Sequence, residues 1–277
     1  MDHPLPPHDA DIEEAGTAFG RLASSYDEDF ESLPAARRLR AIVWDIYTRH
    51  FHAGDSLLEL NCGTGTDALA LAGMGMRIHA TDISEGMLDA FLRKLPVSPH
   101  RELVTMQRLA FDELSVLRDR VFDGVYSNMG GLNCEQDLPR VAGDLHALVR
   151  PGGFFIGTFL GDMAIWEMAA FLGRGRLRQA FRRRSRTAVQ ANIGGSLVPT
   201  FYHSPRAVAK HFSPYFSVMG ILGLNIFTPP PTSQKAYRRL GRGMRALERL
   251  DDALMEIWPF NRVGDHFVIV LKHTGTP

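Results

Sequence analysis

The residues best placed to do chemistry sit at one turn. Glu59-Leu60-Asn61-Cys62-Gly63-Thr64-Gly65 overlaps a short apolar run at Leu57, Leu58 and Leu60 and leads into residues 67–73, which read as a helix. Strand, glycine turn and helix open a nucleotide-binding βα unit: the glycines let the backbone approach a ligand, and the helix start favours its polar groups. A second carboxylate, Asp82, ends the next apolar run in Ala80-Thr81-Asp82-Ile83-Ser84. Its two oxygens suit a ribose cis-diol, since each accepts one hydroxyl hydrogen. Gly63-x-Gly65-x-x-Ala68 also satisfies the dinucleotide fingerprint, so turn and acid specify a ribose-bearing ligand without saying which.

Elements of a repeating kind must position these groups. Residues 15–30 and 35–51 read as two helices ahead of the first strand, the second with Leu39, Ile42, Val43, Ile46 and Tyr47 at helical spacing. Apolar runs at 77–80, 104–109, 124–127 and 154–159 follow, with helical stretches such as 87–95 and 138–148 between most of them. Such alternation predicts a parallel sheet with helices on both faces. Two segments, 160–212 and 229–262, are too long to be simple connections. In the second, Tyr237, Leu240, Met244, Leu247, Leu250 and Leu254 mark one amphipathic helix.

The totals fit one α/β domain with insertions: 277 residues, 45% of them hydrophobic. Basic and acidic residues, 31 of each, cancel, which argues against a nucleic-acid substrate gathered by overall charge. Cys62 and Cys134 are far apart and lack metal-ligand spacing, so neither a disulfide framework nor a metal site is expected. Residues 1–14 lack the apolar core of a secretory signal, and the apolar stretch 216–227 is too short and too broken by glycine to span a bilayer. A soluble, cytoplasmic protein is the expectation.

The turn, with its acid ahead of a Gly-x-Gly loop, resembles the first motif of class I S-adenosylmethionine (SAM) dependent methyltransferases of the small-molecule type. Three further segments resemble that family in order: Phe122-Asp123-Gly124-Val125-Tyr126-Ser127-Asn128, Leu148-Val149-Arg150-Pro151-Gly152-Gly153-Phe154, and Asp265-His266-Phe267-Val268-Ile269-Val270-Leu271. The resemblance implies a Rossmann-like, seven-stranded, mostly parallel sheet with helices on both faces, an antiparallel last strand and an inserted helical cap. It divides the chain into lid helices (1–52), a SAM-binding core (53–159), the cap (160–212) and a C-terminal part completing the sheet (213–277).

The same resemblance implies the cofactor residues. Tyr26, in Phe19-Gly20-Arg21-Leu22-Ala23-Ser24-Ser25-Tyr26-Asp27, would cover the methionine part of SAM, with Arg21 behind it. Glu59, Asn61, Gly63 and Gly65 belong to the loop, Asp82, Ile83 and Met87 to the ribose side, and Ser127 and Asn128 to the end of the fourth strand. Two departures from the family pattern stand out. Asn61 replaces the loop's first glycine, which a residue tolerant of unusual dihedrals can do. The segment Leu109-Ala110-Phe111-Asp112 lacks an acid at its commonest position, leaving the Ala110 backbone and Phe111 to hold adenine.

A small-molecule acceptor would sit outside the carboxyl ends of the strands. Met129 and Asn133, after the fourth strand, and Trp166, Tyr202 and Trp258, from the insertions, are the expected pocket residues; His203 and His266 are the candidates to remove a proton from a hydroxyl acceptor. Arg174, Arg176, Arg178, Arg182, Arg183, Arg184 and Arg186 read either as a solvated face or as a receiver for a carboxylate, a phosphate or an anionic surface. The competing functions are an NAD-dependent oxidoreductase, a nucleic-acid methyltransferase, and a protein that binds SAM without catalysis.

Overall fold

The computed structural model describes residues 9–185, 187–231 and 233–275; Arg186 of the arginine run lies outside them. Helices α1 (Asp9–Leu22), α2 (Tyr26–Glu31) and α3 (Pro34–His50) precede β1 (Ser56–Leu60), α4 (Thr66–Gly73), β2 (Arg77–Asp82), α5 (Glu85–Lys94) and β3 (Val104–Arg108). Then come β4 (Phe122–Ser127), α6 (Leu138–Leu148) and β5 (Val149–Leu160). The first insertion holds α7 (Ile165–Leu172), α8 (Leu177–Ala180), β6 (Val189–Ile193), β7 (Ser196–Thr200) and α9 (Pro205–Phe212). The chain closes with β8 (Phe216–Leu224), α10 (Gln234–Leu240), α11 (Met244–Leu254) and β9 (His266–His273).

The seven-stranded sheet has the order β3-β2-β1-β4-β5-β9-β8, and β9 alone runs antiparallel to its neighbours. Its strands read as near-continuous apolar runs because both faces are covered. Along β9, Val268 and Val270 join the core that includes Leu39, Val43 and Tyr47 of α3 and Leu71 of α4. Phe267, Ile269 and Leu271 face the other way, into a core with Leu145 of α6 and Phe212 of α9. The order reverses between β1 and its neighbours β2 and β4, which opens a crevice at their carboxyl ends.

Three sequence expectations change. Residues 15–30 form two helices, because the chain turns at Ala23–Ser25 where Ala23 packs against Met87 and Ala90 of α5. The single amphipathic helix of 237–254 is two, α10 and α11, broken at Gly241 with φ +46°. The inserted segment is only partly helical: β6 and β7 form an antiparallel hairpin, and α9 belongs to the layer covering the sheet, with Phe212 stacked on Phe155 at 4.9 Å. Among the described residues no helix is long and apolar enough to cross a membrane.

Candidate active site

The turn after β1 is shaped by three residues in the left-handed region, Asn61 (φ +50°), Gly63 (φ +54°) and Gly65 (φ +76°). Asn61 holds that conformation while its side chain bridges two loops: Nδ2 donates to the Asn128 carbonyl at 2.8 Å and Oδ1 accepts from Ser127 Oγ at 2.5 Å. Gly131 presses on this bridge so closely that a Cβ there would lie 2.2 Å from Asn61 Cγ. Gly65, first in contact with α4, is pressed by the ring of Phe91, 2.2 Å from where a Cβ would be.

Asp82, at the end of β2, accepts the Gly63 N–H on Oδ2 and the Ser84 N–H on Oδ1, both at 2.8 Å. Burial pushes its carboxyl up from the usual range, against the pull of these amides. Each oxygen keeps lone-pair capacity for one ribose hydroxyl, so the residue fits the role read from the sequence.

One cavity runs across the crevice. Its wall includes Tyr26, Asn61, Gly63, Asp82, Ile83, Met87, Ala110, Phe111, Asn128 and Met129, all expected from the sequence. At one end lies a polar knot the sequence reading missed. Asp67, in the first turn of α4, accepts from Trp44 Nε1 and from Asn128 Nδ2, both at 2.8 Å, and lies 3.2 Å from Arg40 Nε. Burial raises the phenol of Tyr26 beside this knot. At the other end stand Ala110, Phe111, Cys134 and Glu135. The Ala110 N–H donates to Glu113 Oε2 at 2.9 Å, so that amide has a partner within the chain. Burial pushes the Glu135 carboxyl up, opposed by the Asp137 N–H, which it accepts at 2.6 Å.

The cover comes from two distant parts of the chain. Helix α1 packs against α5 where Gly86 and Gly20 meet; a Cβ on Gly86 would lie 2.8 Å from Gly20 Cα. Ile12, Ala15 and Phe19 thereby face the cavity, as do Val198 and Pro199 of β7. Arg21, expected behind Tyr26, instead ties α1 to the hairpin by donating to Ser196 Oγ at 2.8 Å. Asp27 of α2 fastens the lid to the glycine turn: it accepts from Thr64 and Thr66 hydroxyls and pairs with Lys94 at 2.7 Å.

Several expected site residues lie elsewhere. Glu59, Gly65 and Ser127 do not line the cavity; burial holds the Glu59 carboxyl well above its usual range. Asn133 is fully buried, its amide donating to Leu160 and Phe201 carbonyls and its Oδ1 accepting from Leu160 N, which uses its capacity inside the fold. Trp166 donates its indole N–H to the Phe227 carbonyl, anchoring the insertion. Tyr202 lies beneath the Arg183 guanidinium at 4.7 Å, and Trp258 is 71% exposed. His203 packs edge-on to Phe159, its pKa pushed down to about 4 by burial, and His266 lies 3.0 Å from Asp265. Neither imidazole lines the cavity. Aromatic and histidine content marked these residues in the sequence, but tertiary packing places all of them but the exposed Trp258 against other parts of the fold.

Comparison with known proteins agrees with this geometry. A family model described as a methyltransferase domain matches residues 58–157. The chain is 32% identical over 148 residues to a demethylmenaquinone methyltransferase of Symbiobacterium thermophilum, covering 50% of this chain and 55% of that protein. It is 30% identical over 154 residues to a malonyl-[acyl-carrier protein] O-methyltransferase of Serratia marcescens, covering 55% and 54%. The chain thus spans about half the length of the curated relatives it matches. Among solved structures, the [4+2]-cyclase SpnF shares the fold across 97% of both chains, with TM-score 0.63 and 14% identity. Residues 58–157 thus match a methyltransferase domain, and they carry the sheet order and the acid-bearing glycine turn that the sequence predicted.

Proposed function

We propose that the protein transfers a methyl group from SAM to a small, partly apolar molecule held beneath α1 and the β6–β7 hairpin. The observation that carries this reading is the continuity of the cavity: Asp82 and Gly63 share it with Phe19, Met129, Cys134, Val198 and Pro199, whose walls are largely apolar. The curated relatives, named for a demethylmenaquinone and a malonyl-carrier substrate, support an organic acceptor of this kind.

When bound, the cofactor supplies a methyl group on a sulfonium, an electrophile that needs no covalent help from the protein. Asp82 would hold the ribose hydroxyls. Arg40 and Asp67, an oppositely charged pair facing the cavity, match the carboxylate and ammonium of a methionine zwitterion, with Tyr26 closing that end. Ile83 and Phe111 would flank the base, and Glu135 offers there the carboxylate that position 110 lacks. The contribution of the remaining walls is alignment and exclusion of water; positioning of this type is worth up to roughly 7 to 11 kcal/mol at its limit. No histidine among the described residues lines the cavity, which favours an acceptor whose nucleophile needs no imidazole base.

The test is transfer from methyl-labelled SAM to a broad panel of small molecules, alongside RNA and protein controls. Labelled small-molecule product is the expected result; label appearing only in RNA or protein would reject the reading.

A further inference from the structure

The arginine run of the first insertion is not one feature. Arg183 is buried, with Nη2 2.8 Å from both Glu167 and Asp265, and Arg182 pairs with Glu167 at 2.7 Å. These two hold α7 and the turn after α8 onto the end of the sheet. Arg174, Arg176 and Arg178 do nothing of the sort. Every residue from 172 to 179 is exposed, and Arg174, Arg176 and Arg178 have no ion-pair partner among the described residues.

Apolar side chains stand open among them: Ile165 is 37% exposed, Leu172 43%, Leu177 66% and Phe181 44%. Helices α7 and α8 pack together and Arg182 lies over the Phe171 ring, so these side chains share one small knob. Residues 165–185 hold six arginines and one acid, Glu167, which is already paired, although the charges of the whole chain cancel. Exposed apolar groups of this size are costly to leave in water without a purpose.

We propose that this knob, centred on Arg174, Arg176, Leu177, Arg178 and Phe181, docks the protein onto an anionic lipid bilayer. The guanidinium groups match lipid phosphates, and the leucines and Phe181 match the acyl boundary beneath them. An RNA partner would use the arginines but leave Leu172 and Leu177 without a role, since bases stack on aromatic faces. The insertion leaves the sheet at the carboxyl end of β5, the edge that also carries the glycine turn and Asp82, so docking would bring the bilayer to the cavity side of the molecule. This inference does not depend on which acceptor is methylated.

The experiment is flotation of the full chain with vesicles of phosphatidylcholine alone and of phosphatidylcholine with about one third phosphatidylglycerol, the anionic component that supplies the surface charge. The protein should float with the anionic vesicles and not with the neutral ones. Two variants at exposed positions separate the contributions: Arg174→Glu/Arg176→Glu/Arg178→Glu, and Leu177→Asp/Phe181→Asp. Each should lower the bound fraction on the order of tenfold or more, while S-adenosylhomocysteine (SAH) binding, read on the same samples, stays intact and certifies the fold. No binding to anionic vesicles, binding unaffected by either variant, or arginine-dependent binding to an RNA oligomer without vesicle binding would each overturn the proposal.

Discussion

Asp82 and Gly63 are joined by a 2.8 Å hydrogen bond from the Gly63 N–H to Asp82 Oδ2, which ties the end of β2 to the turn after β1. Nineteen positions apart in sequence, the two residues fix the floor of the cavity before any ligand arrives. Such preorganisation lowers the ordering cost of binding.

Gly65→Ala should destabilise the whole domain. The new Cβ would meet the Phe91 ring at 2.2 Å, at a φ of +76° that side chains rarely adopt. Overpacking and left-handed strain together suggest a loss of about 2 kcal/mol or more. Thermal unfolding checks it; an unchanged melting temperature would contradict the packing described.

Asp27→Asn should loosen the lid. Burial alone would raise the Asp27 carboxyl, but the Lys94 ammonium and the two threonine hydroxyls outweigh it and hold the pKa below the usual range. A depressed carboxylate pKa means stabilisation present above about pH 4 and lost as pH falls through the folded value. In stopped-flow displacement, SAH should leave the variant several-fold faster, whereas an unchanged release rate would mean the latch does not gate the cavity.

His203→Gln and His266→Gln should leave methyl transfer within about threefold of wild type, because positions outside a site seldom alter its chemistry strongly. A loss of a hundredfold or more in kcat would restore the imidazole base. The half-buried His203 and the buried His79, both pushed down to about 4, should make themselves felt in stability instead. The unfolded chain binds protons on these rings below about pH 6.5 while the folded chain refuses them until about pH 4, so the melting temperature should fall across that window.

Arg183→Ala should release the insertion from the sheet. Removing the guanidinium leaves the buried Asp265 carboxylate without its arginine and Glu167 with Arg182 alone, a change that typically costs about 3–5 kcal/mol for a buried pair. Limited proteolysis should then cut within residues 161–204 well before the core; an equally resistant variant would contradict the anchoring role.

What the sequence made legible follows from locality. The glycine turn, Asp82 and the strand after Gly153 are short motifs whose residues meet their neighbours in the chain, and the structure keeps them where spacing placed them. Position 110 was recognised as lacking an acid, but Glu135, which reaches the same end of the cavity, comes from the loop after β4 and carries no motif. Arg40 and Asp67 meet only because α3 packs against α4, and Val198 and Pro199 reach the cavity only because the hairpin folds back onto α1. Trp166, Tyr202 and Trp258 show the reverse error: large aromatic rings suggested a pocket wall, while packing spent two of them on anchoring and left the third in solvent.

Calorimetric titration of SAH and of NAD into wild-type protein and Asp82→Ala tests the central claim most directly. The account predicts micromolar binding of SAH to the wild type, no binding of NAD, and a loss on the order of a hundredfold in the variant, since charge-assisted hydrogen bonds to two hydroxyls would be removed. Binding of NAD without SAH, or SAH affinity untouched by the substitution, would contradict it.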